Sequence, residues 1–119
     1  MNTVENTAAA VSPRPLALNL FFAYPALQGR IEKAVELYKA GKVELDDSGL
    51  LFYVYGSQAM PYTVDASLSF CNCPDHEKAP LKVCKHQICS GLYLAAREMS
   101  QNKLPTLLKV LRENAKHAK

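Results

Sequence analysis

Cys71, Cys73, Cys84 and His86 form a C-x-C-x10-C-x-H pattern in the middle of the chain. No other feature restricts the fold as much, because three thiols and one imidazole are the donor set of a closed, tetrahedral, structural zinc site. Two pairs with one residue between partners, ten residues apart, let a single loop bring all four donors together. The competing readings are three incidental buried thiols beside a surface histidine, or two disulfides among the four cysteines. A single residue separates Cys71 from Cys73, which argues against disulfides. The most apolar early stretch, residues 16–23, is short and contains Asn19, so no secretory leader is expected. The thiols are expected to stay reduced in a cytoplasmic or nucleoid-associated, intracellular protein. No stretch approaches the roughly 20 apolar residues of a membrane span, so no membrane partner is expected.

The short spacings also say where each donor sits. From 62 to 70, Tyr62, Val64, Leu68 and Phe70 fall on one face and Thr63, Asp65, Ser67 and Ser69 on the other. Period-two alternation of this kind predicts a half-buried strand, and Cys71 and Cys73 share a side if the extended chain continues. Cys84 and His86 cannot both face an ion from a helix interior, since residues two apart are rotated by about 200°. Cys84 is therefore expected just before a helix and His86 in its first turn. Ile88, Leu92, Ala95, Ala96 and Met99 then repeat at helical spacing.

The resulting order of strand, CxC, loop, CxH and helix, carried by YTVDASLSFCNCPDHEKAPLKVCKHQICSGLYLA at residues 62–95, resembles the SWIM-type zinc finger, a ββα module. Pro74-Asp75 after the second Cys and Lys85 before the His match that family's pattern, whereas Cys89 stands where the family usually has a small residue, often Ala. The match covers about a third of the chain and is closest in kind to small stand-alone prokaryotic or viral members. The resemblance implies one structural Zn2+ per chain on Cys71, Cys73, Cys84 and His86. It also implies a role in binding DNA or another protein.

The rest of the chain is expected to complete one α+β domain around that finger. Residues 1–15 are poor in large hydrophobics and read as a flexible arm, residues 16–100 as a single domain with its finger core at about 50–96, and residues 101–119 as a basic C-terminal helix. Leu16, Leu18, Leu20 and Phe22 alternate with Ala17, Asn19, Phe21 and Ala23, as in a short strand or an irregular cover over the core. A helix is expected from Pro25, with Leu27, Ile31, Ala34, Val35 and Tyr38 as its apolar stripe and Gly41 as its stop. Three antiparallel strands are expected at 42–46, 50–56 and 61–70, with turns at Asp46-Asp47-Ser48-Gly49 and from Gly56 to Pro61. Pro105 suits the first turn of a last helix whose apolar side is Leu104, Leu107, Leu108, Leu111 and Ala115.

A formal charge of +3 is too small to argue for nucleic acid by itself, and thiolate ligation of a divalent ion lowers it further. Its distribution says more. Residues 101–119 hold Lys103, Lys109, Arg112, Lys116 and Lys119 against Glu113 alone, and Lys78, Lys82 and Lys85 surround the cysteine loop, partly offset by Asp75 and Glu77. Lys82, Lys85, Lys109, Arg112 and Lys116 are the candidate phosphate contacts, against the plainer reading of solvated lysines near a helix C-terminus. Phe52, Tyr53 and Tyr55 can stack on bases or cover a core. Cys89 can replace a ligand, join a different site or fill the core, and His76 can compete with His86. A metal closed by four side chains has no position for water, and no phosphate-cradling glycine loop occurs, so neither catalysis nor a small-molecule substrate is expected. Two roles stay open: a nucleic-acid-binding adaptor, and a protein adaptor using the finger or the leucine side of the last helix.

Overall fold

In the computed structural model, which describes residues 11–117, the chain is α+β: four α-helices and one three-stranded antiparallel sheet. Helix α1 is Arg14–Ala23, a 3-10 turn follows at Pro25–Leu27, and α2 is Gln28–Lys39. Strands β1 (Val43–Leu45), β2 (Leu51–Val54) and β3 (Tyr62–Asp65) lie in the order β1-β2-β3. A second 3-10 turn, Pro80–Lys82, precedes α3 (Lys85–Ser100), and α4 (Thr106–Lys116) closes the described chain. Helix α3 is the centre, touching α2, α4 and all three strands.

The alternating leucines of residues 16–23 belong to a helix, not a strand. The segment RPLALNLFFA contains no β-branched residue and its Pro lies in the first turn, both of which favour a helix over a strand. Leu16, Ala17 and Leu20 form the buried side. Of the expected arm, residues 1–10 lie outside the described residues, while Arg14 and Pro15 already belong to α1. Tyr24 precedes a proline and leaves helical geometry (φ −129°, ψ 77°), which separates α1 from α2.

Helix α2 stops where Gly41 predicts. Gly41 has φ 71°, its N–H bonds to the Tyr38 carbonyl (3.1 Å), and the Lys42 N–H bonds to the Leu37 carbonyl (3.0 Å). That pair of bonds is a Schellman termination. Helix α3 ends the same way with Asn102 at φ 60°, its N–H on Met99 and the Lys103 N–H on Glu98. Glu98 then caps α4, its carboxylate accepting from the Thr106 N–H (3.0 Å) and hydroxyl. Pro105 stands at the N-cap, one position before the helix.

The expected strand at 61–70 is instead one arm of a tight hairpin and its turn. Strand β3 ends at Asp65, the chain reverses through 66–70, and Cys71 pairs back against Val64. Local polar chemistry overrides the alternation. The Asp65 carboxylate accepts the N–H groups of Ser69 (2.8 Å) and Phe70 (2.9 Å) and the Ser67 hydroxyl (2.6 Å). Leu68 takes φ 62° and is buried, while Phe70 turns outward, 53% exposed. Across the sheet, Phe52 pairs with Val64 and Leu45, and Val54 pairs with Val43. Phe52, Val54 and Val64 are fully buried, and Phe52 meets Tyr93 of α3 edge to face.

The apolar side of α4 is narrower than its leucines suggest. Leu107 and Leu111 are fully buried, Leu108 is half-buried, and Leu104 and Ala115 are exposed. The two helices meet at Gly91, where an added Cβ would lie 2.8 Å from the Leu107 Cβ. Gly91→Ala gains about 1 kcal/mol of helix propensity but overpacks a tethered atom at a cost of about 1–3 kcal/mol, so the clash wins. In urea unfolding, Gly91→Ala is expected to lower stability. Gly29→Ala in α2, with nothing within 4 Å, is expected to raise it by a few tenths to about 1 kcal/mol.

Candidate metal centre

The hairpin and the start of α3 together build the site. Cys71 is fixed on the returning arm by its pairing with Val64. Asn72 locks the next step, its N–H bonding to the Thr63 carbonyl (3.3 Å) and its side-chain oxygen accepting the Thr63 N–H (2.9 Å). Cys73 thereby returns to the side of Cys71. Cys84 is the N-cap of α3, and His86 lies in the first turn. The four donor atoms all lie within 4.8 Å of one another and all four residues are buried. His86 Nδ1 is 3.7 Å from Cys71 Sγ and 3.8 Å from Cys84 Sγ. Tetrahedral ligation at the usual zinc–sulfur and zinc–nitrogen distances requires edges of about 3.6–3.8 Å, so Nδ1 is the nitrogen placed for a metal. The imidazole packs against Tyr62 at 4.7 Å between ring centres.

These four donors can hold a metal ion, and their electrostatics favour one. Cys84 is held well below the ordinary thiol range, first by the hydrogen bond it receives from the Cys71 thiol and also by His86 and the Gln87 N–H. Cys71 is pushed up, first by donating that bond and then by burial. Cys73 is pushed up by burial and by the charge on Cys84. The protein groups thus favour one thiolate and oppose three, because like charges in a buried pocket repel. A multivalent cation removes that opposition.

Gln87 is the supporting residue that the metal spacing does not reveal. It is fully buried. Its Oε1 accepts the Cys84 N–H (2.8 Å) and faces His76 Nδ1 (2.9 Å), while its Nε2 donates to the Leu68 carbonyl (2.9 Å). One side chain therefore ties the helix start, the hairpin tip and the cysteine loop together. The Cys84-x-x-Gln87 spacing is that of a capping box, with a thiol in place of the usual hydroxyl, and this is the signal in the sequence. His76 is spent on Gln87, and its ring meets Phe70 edge to face, so it stands outside the donor cluster. Cys89 is also outside it, fully buried, with its thiol pushed up to about 12 by desolvation.

Arg30 and Asp75 form the other support. The guanidinium grips the carboxylate with two bonds, Nε to Oδ2 at 2.8 Å and a terminal nitrogen to Oδ1 at 2.7 Å, joining α2 to the loop just after Cys73. Arg30 reads in the sequence only as a solvent-facing residue of that helix.

The five candidate phosphate contacts do not share one setting. The Lys82 ammonium is engaged by the Glu77 carbonyl (2.8 Å) and carboxylate (3.5 Å), and Lys116 lies 3.6 Å from Glu113. Lys109 and Arg112 are exposed on α4 and form no ion pair among the described residues. Lys85 lines a cleft of about 360 Å³ beside His86, together with Lys78, Tyr62 and Gln58. Helix α4 docks on the cysteine loop through Asn114, whose Nδ2 donates to the Leu81 carbonyl at 2.7 Å, next to Lys82. Of the strand aromatics, Phe52 is a core residue, and Tyr55 is exposed with its hydroxyl on Glu44.

Compared with known proteins, the chain matches no family model, no curated protein and no solved structure.

Replacing Gln87 by Met keeps the volume but orphans the Cys84 N–H and the Leu68 carbonyl, each at about 1–3 kcal/mol. Denaturant unfolding is expected to show that loss without a matching change in donor identity. Asp75 is held below the usual carboxylate range by its hydrogen bonds to Arg30. Its folded value lies below its unfolded value, so its contribution is complete above the ordinary carboxylate pKa of about 4 and disappears as the pH falls through the folded one. The pair is about one-third exposed, so the contribution is of order 1 kcal/mol. The stability difference between wild type and Asp75→Asn should therefore shrink from pH 6 towards pH 3, measured by urea titration.

Proposed function

We propose that this chain is a non-catalytic zinc-binding finger of the SWIM type that acts as a nucleic-acid-binding adaptor. The observation that carries the metal reading is the convergence of Cys71, Cys73, Cys84 and His86 within 4.8 Å, from a hairpin return and a helix start. Three sulfurs and one nitrogen complete a four-coordinate set, which supports a structural ion without an open position for chemistry. The ββα order of β2, β3 and α3 around that ion supports the likeness to SWIM fingers.

The nucleic-acid reading rests on where the basic residues gather. Lys78 and Lys85 share the cleft next to His86, and Lys109 and Arg112 project from a helix docked on the same loop. A protein adaptor using the leucine side of the last helix is poorly served, because Leu107 and Leu111 are already inside the molecule.

Elemental analysis of protein purified under reducing conditions is expected to give one zinc per chain, lost in Cys73→Ser together with cooperative unfolding of the C-terminal half. Zinc-loaded protein should bind DNA with a steep salt dependence. Neutralising Lys109, Arg112 and Lys116 should make the log–log salt slope shallower by about 0.9 for each duplex phosphate contact removed, with zinc retained. Absence of any transition metal overturns the finger, and absence of binding to both single- and double-stranded DNA at low salt overturns the adaptor on nucleic acid.

A further inference from the structure

Helix α1 is apolar on both sides, yet among the described residues one side has no cover. Of its ten residues only Arg14 and Asn19 are polar. Leu16, Ala17 and Leu20 enter the core, while Arg14, Leu18 and Phe22, four apart and so on one stripe, face outward. Leu18 is 58% exposed and Phe22 69%. A helix that is hydrophobic all round is one that becomes buried on both sides. Beside this stripe a groove of about 840 Å³ runs between α1 and α2, walled by Ala17, Phe21, Ile31 and Val35. Its edges carry Arg14 from α1 and Glu32 and Glu36 from α2. None of these three charges is in an ion pair among the described residues.

We infer that the α1–α2 face is a homodimer interface, in which Leu18 and Phe22 of each copy seat in the groove of the other. Projecting apolar side chains next to an apolar groove make a surface that is its own complement. A two-fold axis uses such a surface twice, since residue i meets j and j meets i. The charges fit the same operation, with Arg14 of one copy set against the partner's Glu32 or Glu36. Those carboxylates disfavour the two other takers of an apolar helix face, an anionic lipid surface and a nucleic acid, because both carry negative charge. Residues 1–10 offer only Met1 and Val4 as larger apolar side chains, which is little to fill a groove of this size. The interface is separate from the metal centre, so it holds or fails independently of the zinc and nucleic-acid reading.

Sedimentation velocity on the zinc-loaded full chain tests it. Wild type is expected to be a dimer, and Leu18→Glu with Phe22→Glu a monomer with unchanged zinc content and far-UV circular dichroism. Arg14→Glu alone should weaken the dimer by about tenfold or more through like-charge contact. Adding Glu32→Arg and Glu36→Arg to Arg14→Glu should restore it, a rescue that misfolding cannot produce. A wild-type monomer at about 100 µM chain overturns the interface. So does a dimer that survives the Leu18 and Phe22 substitutions. A monomer that becomes a dimer only when residues 1–10 are deleted places that segment in the groove instead, and a monomer that binds neutral phosphatidylcholine vesicles through Leu18 and Phe22 places lipid there.

Discussion

Three thiols that share one buried pocket oppose one another's ionisation, and only a shared cation removes that opposition. Cys84 is held below the ordinary thiol range first by the bond it receives from the Cys71 thiol, while Cys71 is raised first by donating that bond and Cys73 first by burial. Each further thiolate therefore needs a positive partner that the surrounding side chains do not supply. Arg30, which reaches the loop just after Cys73, is already committed to Asp75. An ion held by these donors would couple its binding to closure of the corner between hairpin and helix, so that metal affinity would appear as folding free energy.

The surrounding fold brings the donors together from two directions and holds them there. Asp65 folds the chain back so that Cys71 and Cys73 leave the sheet edge side by side, and α3 begins at Cys84. Gln87 joins those two halves through bonds to Cys84 and Leu68. Outside this inner set, Arg30 anchors the loop to α2, and Asn114 anchors its far end to α4. Helices α2 and α4 therefore act on the centre from both ends of the same ten-residue loop, residues 74–83. Helix α4 also buries Leu107, which meets Gly91 of α3, and Leu111, so that Lys109 and Arg112 face outward.

Much of this was legible wherever a single local interaction decided the conformation. The donor pattern, the helix start between Cys84 and His86 and the stop at Gly41 each depend on a few neighbouring residues, and each lies where the spacing puts it. The misreadings at residues 16–23 and 62–70 share one cause. Hydrophobic alternation reports which side chains prefer burial, but it does not report the backbone path that achieves it. In α1 the absence of β-branched residues outweighed the alternation, and after β3 an aspartate carboxylate did.

The amino-acid sequence by itself determined the chemistry of the centre, because three thiols and an imidazole at these separations can reach one point from a single loop. It also determined which helix carries the histidine, because residues two apart cannot both face that point from within a helix. Tertiary structure alone decided that Arg30, forty-five positions before Asp75, closes on it, and that Gln87 spans helix, hairpin and loop. It alone decided that Leu107 and Leu111 of α4 lie inside while Leu18 and Phe22 lie outside. The physical reason is range. Ligand spacing and helix caps act over a few residues of chain, whereas burial and ion pairing depend on which distant surfaces the packed core brings together.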